Sequence, residues 1–322
     1  MNPNFKHKLE ISDELNLYKT FEVYKSFKDN QEYIALVKRN NVDIFSLLNN
    51  KKILSLKGNK SIINTIRYFI NNETINEYLI SSDYDRIIII WDITNNYNVK
   101  HKIDMKLSID FIINSCLLAF THNKNDYIIS TAVNSEEEFD ESSTKIYLFN
   151  NGQFIREIIN SNNSIVYYLL FLYNKNNDNY YIVQNCNSKI LINNLFEEKV
   201  YNEFNHQPES YFYKGFIYNK NNNYFLCCCS TNGYINIWDL YNKIAVKIIN
   251  FNNYYFTDII QWNDKYIIVI NSSNNSCEII DIEKEKMITN IKSEDGFYWI
   301  KKIYHPNYGE SLITTGINKI KI

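Results

Sequence analysis

Glycine and proline are scarce in this 322-residue chain, at 7 and 3 occurrences, and alanine occurs only 4 times. With apolar positions filled mainly by Ile, Tyr, Phe and Val, so little Ala argues against a helix bundle, whose periodic stretches draw on Ala, Leu, Glu and Lys. No apolar run approaches the roughly 18 residues that a membrane-spanning helix needs, and Met1 to Leu15 lacks the apolar core of a signal peptide. An excess of charge of one sign is missing too. The 34 Lys and Arg stand against 36 Asp and Glu, so no sequence-wide positive field exists to hold phosphate backbones or anionic lipid. The expected setting is cytoplasmic or nuclear rather than secreted, with neither nucleic acid binding nor membrane insertion.

Chemistry-bearing patterns are equally sparse. The five histidines, His7, His101, His122, His206 and His305, are scattered, and none has a second His or a Cys at metal-ligand spacing. His122 and His305 fall between strand-like runs and read as exposed turn residues. No Gly-rich phosphate loop and no Gly-Xaa-Ser-Xaa-Gly elbow occurs. Six cysteines (Cys116, Cys186, Cys227, Cys228, Cys229 and Cys277) include no pair three residues apart and read as buried thiols. No catalytic residue, cofactor or obligate metal is expected.

The chain is rich in strand formers, with 27 Tyr and 19 Phe, and in Asn, which tolerates the left-handed backbone region and so can occupy turns where other chains use Gly. It also repeats itself. The segment DYDRIIIIWDI (Asp83 to Ile93) is echoed by STNGYINIWDL (Ser230 to Leu240), each after an apolar run. Aligning on the Trp position gives Phe45, Trp91, Phe149, Asn193, Trp238 and Ile280, at intervals of 46, 58, 44, 45 and 42 residues. The longest interval contains the polar insertion from Asn134 to Ser143.

Each repeat resolves into four short runs, a to d, joined by turn residues. In the fifth, Asn232-Gly233 joins b to c, where two positive-φ residues suit a tight hairpin, and Asn151-Gly152 plays that part between c and d of the third. Strand a is expected to begin near Phe21, Ile62, Ile112, Ile165, Tyr211, Tyr255 and Phe297. The last repeat stops at strand c, so Phe5 to Ile11 is expected to supply its fourth strand, since an open radial array leaves unpaired edges.

These features resemble the WD40-repeat family of β-propellers over about residues 5 to 322. The residues that carry the resemblance are Trp91-Asp92 and Trp238-Asp239 ending strand c, Asp85 six residues before Trp91, Gly58-Asn59 where the family often has Gly-His, and His305-Pro306 in the last repeat. The resemblance implies an all-β, seven-bladed propeller of four-stranded antiparallel blades, one domain over 1–322. Its approximate blades are 18–58, 59–106, 107–160, 161–206, 207–251, 252–293, and 294–322 completed by 5–11. In the family a His, a Ser or Thr, an Asp and the Trp form a buried hydrogen-bonded set. Asn59 replaces the His here, and the Asp column reads Arg39, Asp85, Ser143, Asn187, Asn232 and Asn274. An Arg two residues after Trp-Asp, as in receptors of cullin-type ubiquitin ligases, is replaced by Thr94 and Tyr241, and the Phe-Arg-Arg-Gly run of phosphoinositide-binding propellers does not occur.

In a propeller of this kind strand a lines the channel, and the d–a and b–c loops open on one face. Aromatics crowd three consecutive d–a junctions at Tyr211 to Tyr213, Tyr254 to Phe256 and Phe297 to Trp299, with Tyr167-Tyr168 in the preceding repeat. Tyr and Trp anchor interfaces by burying large area at low entropy cost. Tyr167, Tyr211, Tyr213, Tyr255, Tyr298 and Trp299 are therefore candidate partner-binding residues, although the same aromatics could fill gaps between blades. The acidic loop Glu136-Glu137-Glu138-Phe139 reaches the same face; it reads either as a dock for a basic peptide or as a solvated insertion. Lys214, Lys301 and Lys302 would suit an acidic partner instead. The expected role is a non-catalytic scaffold or adaptor, a monomeric propeller that binds proteins or peptides within a complex. Two alternatives are a structural subunit buried in a large assembly and, more remotely, a propeller enzyme.

Overall fold

The computed structural model describes residues 10–12, 18–71, 73–105, 111–134, 142–159, 166–175, 179–186, 189–197, 200–205, 212–316 and 319–322. Among the described residues all regular structure is strand, and no helix is long and apolar enough to cross a membrane. After β1 (Glu10–Ser12), the first sheet holds β2 (Tyr18–Lys25), β3 (Glu32–Lys38), β4 (Asn41–Ser46) and β5 (Lys51–Lys57). The second holds β6 (Ile63–Asn71), β7 (Asn76–Asp83), β8 (Ile87–Asp92) and β9 (Asn98–Asp104), and the third β10 (Phe111–His122), β11 (Asn125–Asn134), β12 (Ser142–Leu148) and β13 (Phe154–Ile159). The fourth consists of β14 (Val166–Asn174), β15 (Asn179–Cys186), β16 (Lys189–Asn194) and β17 (Val200–Asn205). The fifth comprises β18 (Phe212–Lys220), β19 (Asn223–Ser230), β20 (Tyr234–Asp239) and β21 (Ile244–Asn250). The sixth is built of β22 (Phe256–Gln261), β23 (Tyr266–Asn271), β24 (Ser276–Asp281) and β25 (Lys286–Lys292). Finally β26 (Trp299–His305), β27 (Gly309–Thr315) and β28 (Lys319–Lys321) form a further sheet whose fourth strand is β1. Glu10, Ile11 and Ser12 pair antiparallel with Lys321, Ile320 and Lys319, so the N-terminal strand does join the last repeat, at 10–12; residues 5–9 lie outside the described residues.

Burial explains the run composition. Middle strands such as β16, β23 and β24 are buried along their whole length, because both faces are covered; β23 reads as a near-continuous apolar run, while β16 and β24 also bury polar residues such as Asn193 and Glu278. Outer strands such as β5, β9 and β21 are mostly exposed and carry the lysines. The chain divides into two compact units, one of Leu15–Val166 with Tyr304–Gly309 and the other of Met1–Glu14, Tyr167–Ile303 and Glu310–Ile322. In the first unit, one core packs β3, β4 and β5 against β6, β7 and β8, and a second core packs the second sheet against the third. In the other unit, cores lie between the fourth and fifth, fifth and sixth, and sixth and last sheets.

Two irregularities recur. In each of the six consecutive sheets the third-to-fourth strand pairing slips by one residue immediately before the Trp position, at Phe45, Trp91, Tyr147, Asn193, Trp238 and Ile280. The slip places Tyr147, not Phe149, in the Trp position of the third repeat. Phe149 instead matches Ile93, since both N–H groups donate to the carbonyl of a residue opening the second strand, Asp126 and Glu77 respectively. A two-residue misalignment keeps every side chain on its own face, so alternation alone could not detect it. The first-to-second pairing also bulges, between Ile63 and Thr65, Phe212 and Lys214, and Phe256 and Asp258.

Turn chemistry follows the composition. Among the described residues, eight of the fifteen non-glycine residues with positive φ are asparagines, so Asn does fill positions elsewhere taken by Gly. The turn between β19 and β20 differs from the expected two-residue form. Only Gly233 has positive φ, at 76°, and its N–H donates to the carbonyl of Ser230, giving a turn over Ser230 to Gly233. A Cβ on Gly233 would lie 2.1 Å from the carbonyl oxygen of Phe251. Arg86, at φ 67°, takes the same position in the second sheet. Gly152 is in the left-handed region, at φ 68°, but Asn151 is not, so the turn between β12 and β13 also differs from the expected pair of positive-φ residues.

Candidate functional site

The repeat signature assembles fully in the second sheet. The indole N–H of Trp91 donates to Ser81 Oγ at 3.2 Å, Ser81 donates to Asn59 Oδ1 at 3.1 Å, and Asn59 Nδ2 donates to Asp83 Oδ2 at 2.9 Å. The other oxygen of Asp83 accepts the Ile87 N–H at 3.0 Å. Asn59, Ser81, Asp83 and Trp91 are all buried. The aspartate of this set is thus Asp83 rather than Asp85, which is exposed in the turn. Only the residue opening that turn can face inward and cap the first N–H of β8. Burial raises the pKa of Asp83, against the donors from Asn59 and Ile87. Gly58 is needed beneath the ring, because a Cβ there would sit 2.6 Å from Trp91 Cη2.

Elsewhere the set is rewritten. In the fifth sheet Ser230 occupies the place of Asp83, its Oγ accepting the Tyr234 N–H at 3.0 Å, while Asn232 is exposed. Trp238 is packed between Phe204 and Phe212. In the fourth sheet Asn193 stands in the Trp position and donates to Gln184 Oε1, so an amide pair replaces the indole–hydroxyl link. The aspartates that follow the tryptophans close the next turn instead, Asp92 accepting the Asn95 N–H and Asp239 those of Tyr241 and Asn242. Burial acts against Asp239, yet these donors hold its carboxyl below the usual range.

The candidate docking residues gather at the starts of the first strands in the second compact unit. Lys214 in β18 donates to Asp258 Oδ2 in β22 at 2.8 Å, with side chains 14% and 3% exposed. Its ammonium lies 3.5 Å from the Trp299 ring centroid and 5.7 Å from that of Tyr168. Asp258 also accepts the Ile300 N–H at 2.9 Å, so one carboxylate ties β18, β22 and β26 together. The bulges explain this convergence: each places the second residue after the buried Phe212 or Phe256 on the side shared with the neighbouring strand. β2 and β6 of the other unit carry a comparable pair, Arg67 with Glu22 at 3.5 Å.

Above this joint, the hydroxyls of Tyr213 and Tyr255 are 3.1 Å apart. Tyr255 is 39% and Tyr298 48% exposed. Tyr213 and Tyr255 are therefore brought together, Trp299 is turned onto Lys214, and Tyr298 stands beside Trp299 with its N–H on Thr315. Tyr211, Glu136, Glu137, Glu138 and Phe139 lie outside the described residues, as does the side chain of Tyr167. Lys214 is engaged with Asp258 rather than presented to a partner, and Lys302 donates to the Trp262 carbonyl and pairs with Glu310. Asp258 escaped the sequence reading. Superposing FYKGFI on FTDIIQ would have found it, since Lys214 and Asp258 are the charged residues two places after a phenylalanine.

His305 is not an exposed turn residue. It is buried, its Nδ1 accepts the Asn307 N–H at 3.1 Å and its ring stacks on Tyr308, and burial lowers its pKa. All six cysteines are buried thiols; burial raises those of Cys227, Cys229 and Cys277 and pushes Cys228 up to about 12. Among the described residues, no group of three or more His, Cys, Asp or Glu is placed to hold a metal ion.

No curated protein matches the chain in sequence. Residues 50–92 match the WD40 family, described as WD domain, G-beta repeat. The match runs from the outer strand of the first sheet through β8 and contains Gly58, Asn59, Ser81, Asp83, Trp91 and Asp92. That match, and the recurrence of the same four-stranded antiparallel sheet along the chain, support a WD40-type β-propeller.

Proposed function

We propose that the chain is a non-catalytic protein-interaction scaffold, a single seven-bladed propeller domain that β1 closes, acting as a monomer within a larger complex. WD40 propellers generally serve as interaction scaffolds, and the site supports a docking role for Tyr213, Tyr255 and Tyr298. The observation that carries this reading is the joint beneath them. Lys214, Asp258, Trp299 and the Ile300 amide fix three strands, so the tyrosines above are presented without an ordering cost on binding. Asp258 neutralises the lysine, and the surface offers phenol rings and hydroxyls rather than net charge. It suits a polar or uncharged peptide segment of a protein partner.

Affinity purification from native lysate tests this, comparing wild type with Tyr213→Ala/Tyr255→Ala/Tyr298→Ala after confirming that the variant melts cooperatively. A stoichiometric partner lost from the variant supports docking at this surface. A partner retained by both forms moves the interface elsewhere and favours a permanent structural subunit, the second reading, to which the exposed apolar side chains of β21 lend weight.

A further inference from the structure

Three loops are locked together at one end of the first two sheets. Asn59, in the link from β5 to β6, donates to Asp83, which opens the turn from β7 to β8, and the Tyr84 N–H donates to the Ile62 carbonyl at 3.0 Å. The turn from β3 to β4 joins them, since the Arg39 carbonyl accepts the Ile63 N–H at 2.8 Å and Asn40 Nδ2 donates to the Asn59 carbonyl at 3.4 Å. Lys102, near the end of β9, reaches from the second sheet to the Gly58 carbonyl at 3.3 Å. All of these segments belong to one compact unit.

What the loops present is cationic. Residues 38–41, 57–62, 83–87 and 102–104 hold Lys38, Arg39, Lys57, Lys60, Arg86 and Lys102 against Asp83, Asp85 and Asp104, a net charge of +3 in a chain whose net charge is −2. Asp83 is the least available of the three acids, being buried and already accepting from Asn59 and the Ile87 N–H. Arg39, Lys57 and Lys60 are exposed and form no ion pair among the described residues. Lys102 bonds a carbonyl, which leaves its charge uncompensated. Two apolar side chains stand in the same loops, Ile62 at 40% and Tyr84 at 42% exposure.

Charge and shape together choose the occupant. Carboxylates brought to cations that no acid neutralises speed encounter and fix register, but each exposed pair is weak alone, so several must act together with an apolar contact. A nucleic acid fits less well, because Asp85 is exposed beside Tyr84 and would face its phosphates; a peptide can set an apolar residue there. We infer that this surface docks an extended acidic segment of another protein, whose carboxylates pair with Arg39, Lys57, Lys60 and Lys102 and whose one aliphatic or aromatic side chain packs on Ile62 and Tyr84. The locked loops hold the backbone beneath these side chains before binding, which limits the ordering cost. Tyr213, Tyr255 and Tyr298 belong to the other compact unit, and the acidic-segment site does not depend on them.

The test starts with random peptides displayed on phage, panned on the full chain and cleared on Arg39→Glu/Lys60→Glu so that only ligands of this surface survive. The expected consensus is acidic with one large apolar residue. A fluorescein-labelled consensus peptide, titrated by anisotropy, should bind Arg39→Glu/Lys60→Glu at least about tenfold more weakly than wild type. Lys28→Glu/Lys284→Glu makes the same change of net charge on exposed lysines elsewhere and should bind like wild type at physiological ionic strength, where fields fade over about 8 Å. Replacing the peptide's apolar residue by Ser should weaken binding about fivefold to wild type but not to Tyr84→Ala. Tyr213→Ala/Tyr255→Ala/Tyr298→Ala should leave the affinity unchanged. The substituted charged residues and Tyr84 are exposed, so unchanged melting temperatures are expected for these variants. Panning that yields no peptide, an uncharged or basic consensus, equal losses in the two charge-reversed variants, or a serine penalty that persists in Tyr84→Ala overturns the assignment. So does displacement of the peptide by a short single-stranded RNA of higher affinity, which would give the surface to a nucleic acid.

Discussion

Replacing Asp258 by Ala should be among the most damaging single changes outside the apolar cores. The substitution takes the carboxylate away from the Lys214 ammonium, which faces the Trp299 ring, and strips the Ile300 N–H of its acceptor. Breaking a buried ion pair by removing one partner costs about 4 kcal/mol, because the survivor remains desolvated. For a chain of this size that corresponds to a drop of roughly 8 °C in melting temperature. Lys214→Met should cost less, about 2 kcal/mol, since the methionine keeps the apolar stem and the Asp258 carboxylate keeps the N–H groups of Ile259 and Ile300. The double variant should then cost roughly 4 kcal/mol where independent effects would total roughly 6, a coupling of about 2. Glu310→Gln is the control: its partner Lys302 is as close, 2.8 Å, but the side chains are 59% and 30% exposed, so less than about 0.5 kcal/mol is expected. Thermal unfolding followed by tryptophan fluorescence reads all four proteins. Equal shifts for Asp258→Ala and Glu310→Gln, or strict additivity of the two single variants, would refute the view that this pair joins the strands.

Asp83→Ala should cost about 3 kcal/mol and Asp85→Ala less than about 0.5, by the same melts, because only Asp83 holds Asn59 and the Ile87 N–H; equal effects would restore Asp85 to the buried set. Ile75, a β-branched residue held at φ 56° and exposed, should be improved by Ile75→Gly, with a gain of about 1 kcal/mol measured by urea denaturation. His305 has a lowered folded pKa, so the unfolded chain binds more protons near pH 6.5 and below. Stability should therefore fall as pH drops through 6.5, and His305→Gln should flatten that part of the profile. The cysteines should resist a disulfide reagent at pH 8 and all six should react once the chain is unfolded, since the thiolate is the reactive form and burial disfavours it.

Much of the fold was legible because each repeat writes its burial into its composition. The run IIIIWD is apolar throughout because β8 is covered on both sides, and KKILSLK is not because β5 lies outside. What escaped were two-residue offsets. Alternation tolerates the two-residue slip that put Phe149 where Tyr147 belongs, and spacing from Trp91 does not say which of Asp83 and Asp85 turns inward. The candidate site was legible as a density of aromatics but not as a geometry. Lys214 reads as a surface cation until Asp258, 44 residues later, is placed beside it.

The repeated slip in the third-to-fourth pairing bears on what the outer strands offer to a strand from another chain. Six strand edges would each offer an incoming strand a ready ladder of N–H and C=O groups. Because one extra residue interrupts every one of them, at Ile53, Lys100, Ile155, Tyr201, Val246 and Ile288, each edge is cut into short runs that cannot be zipped continuously. The outer strands thus display Ile, Val and Tyr side chains on edges poorly suited to continuous pairing.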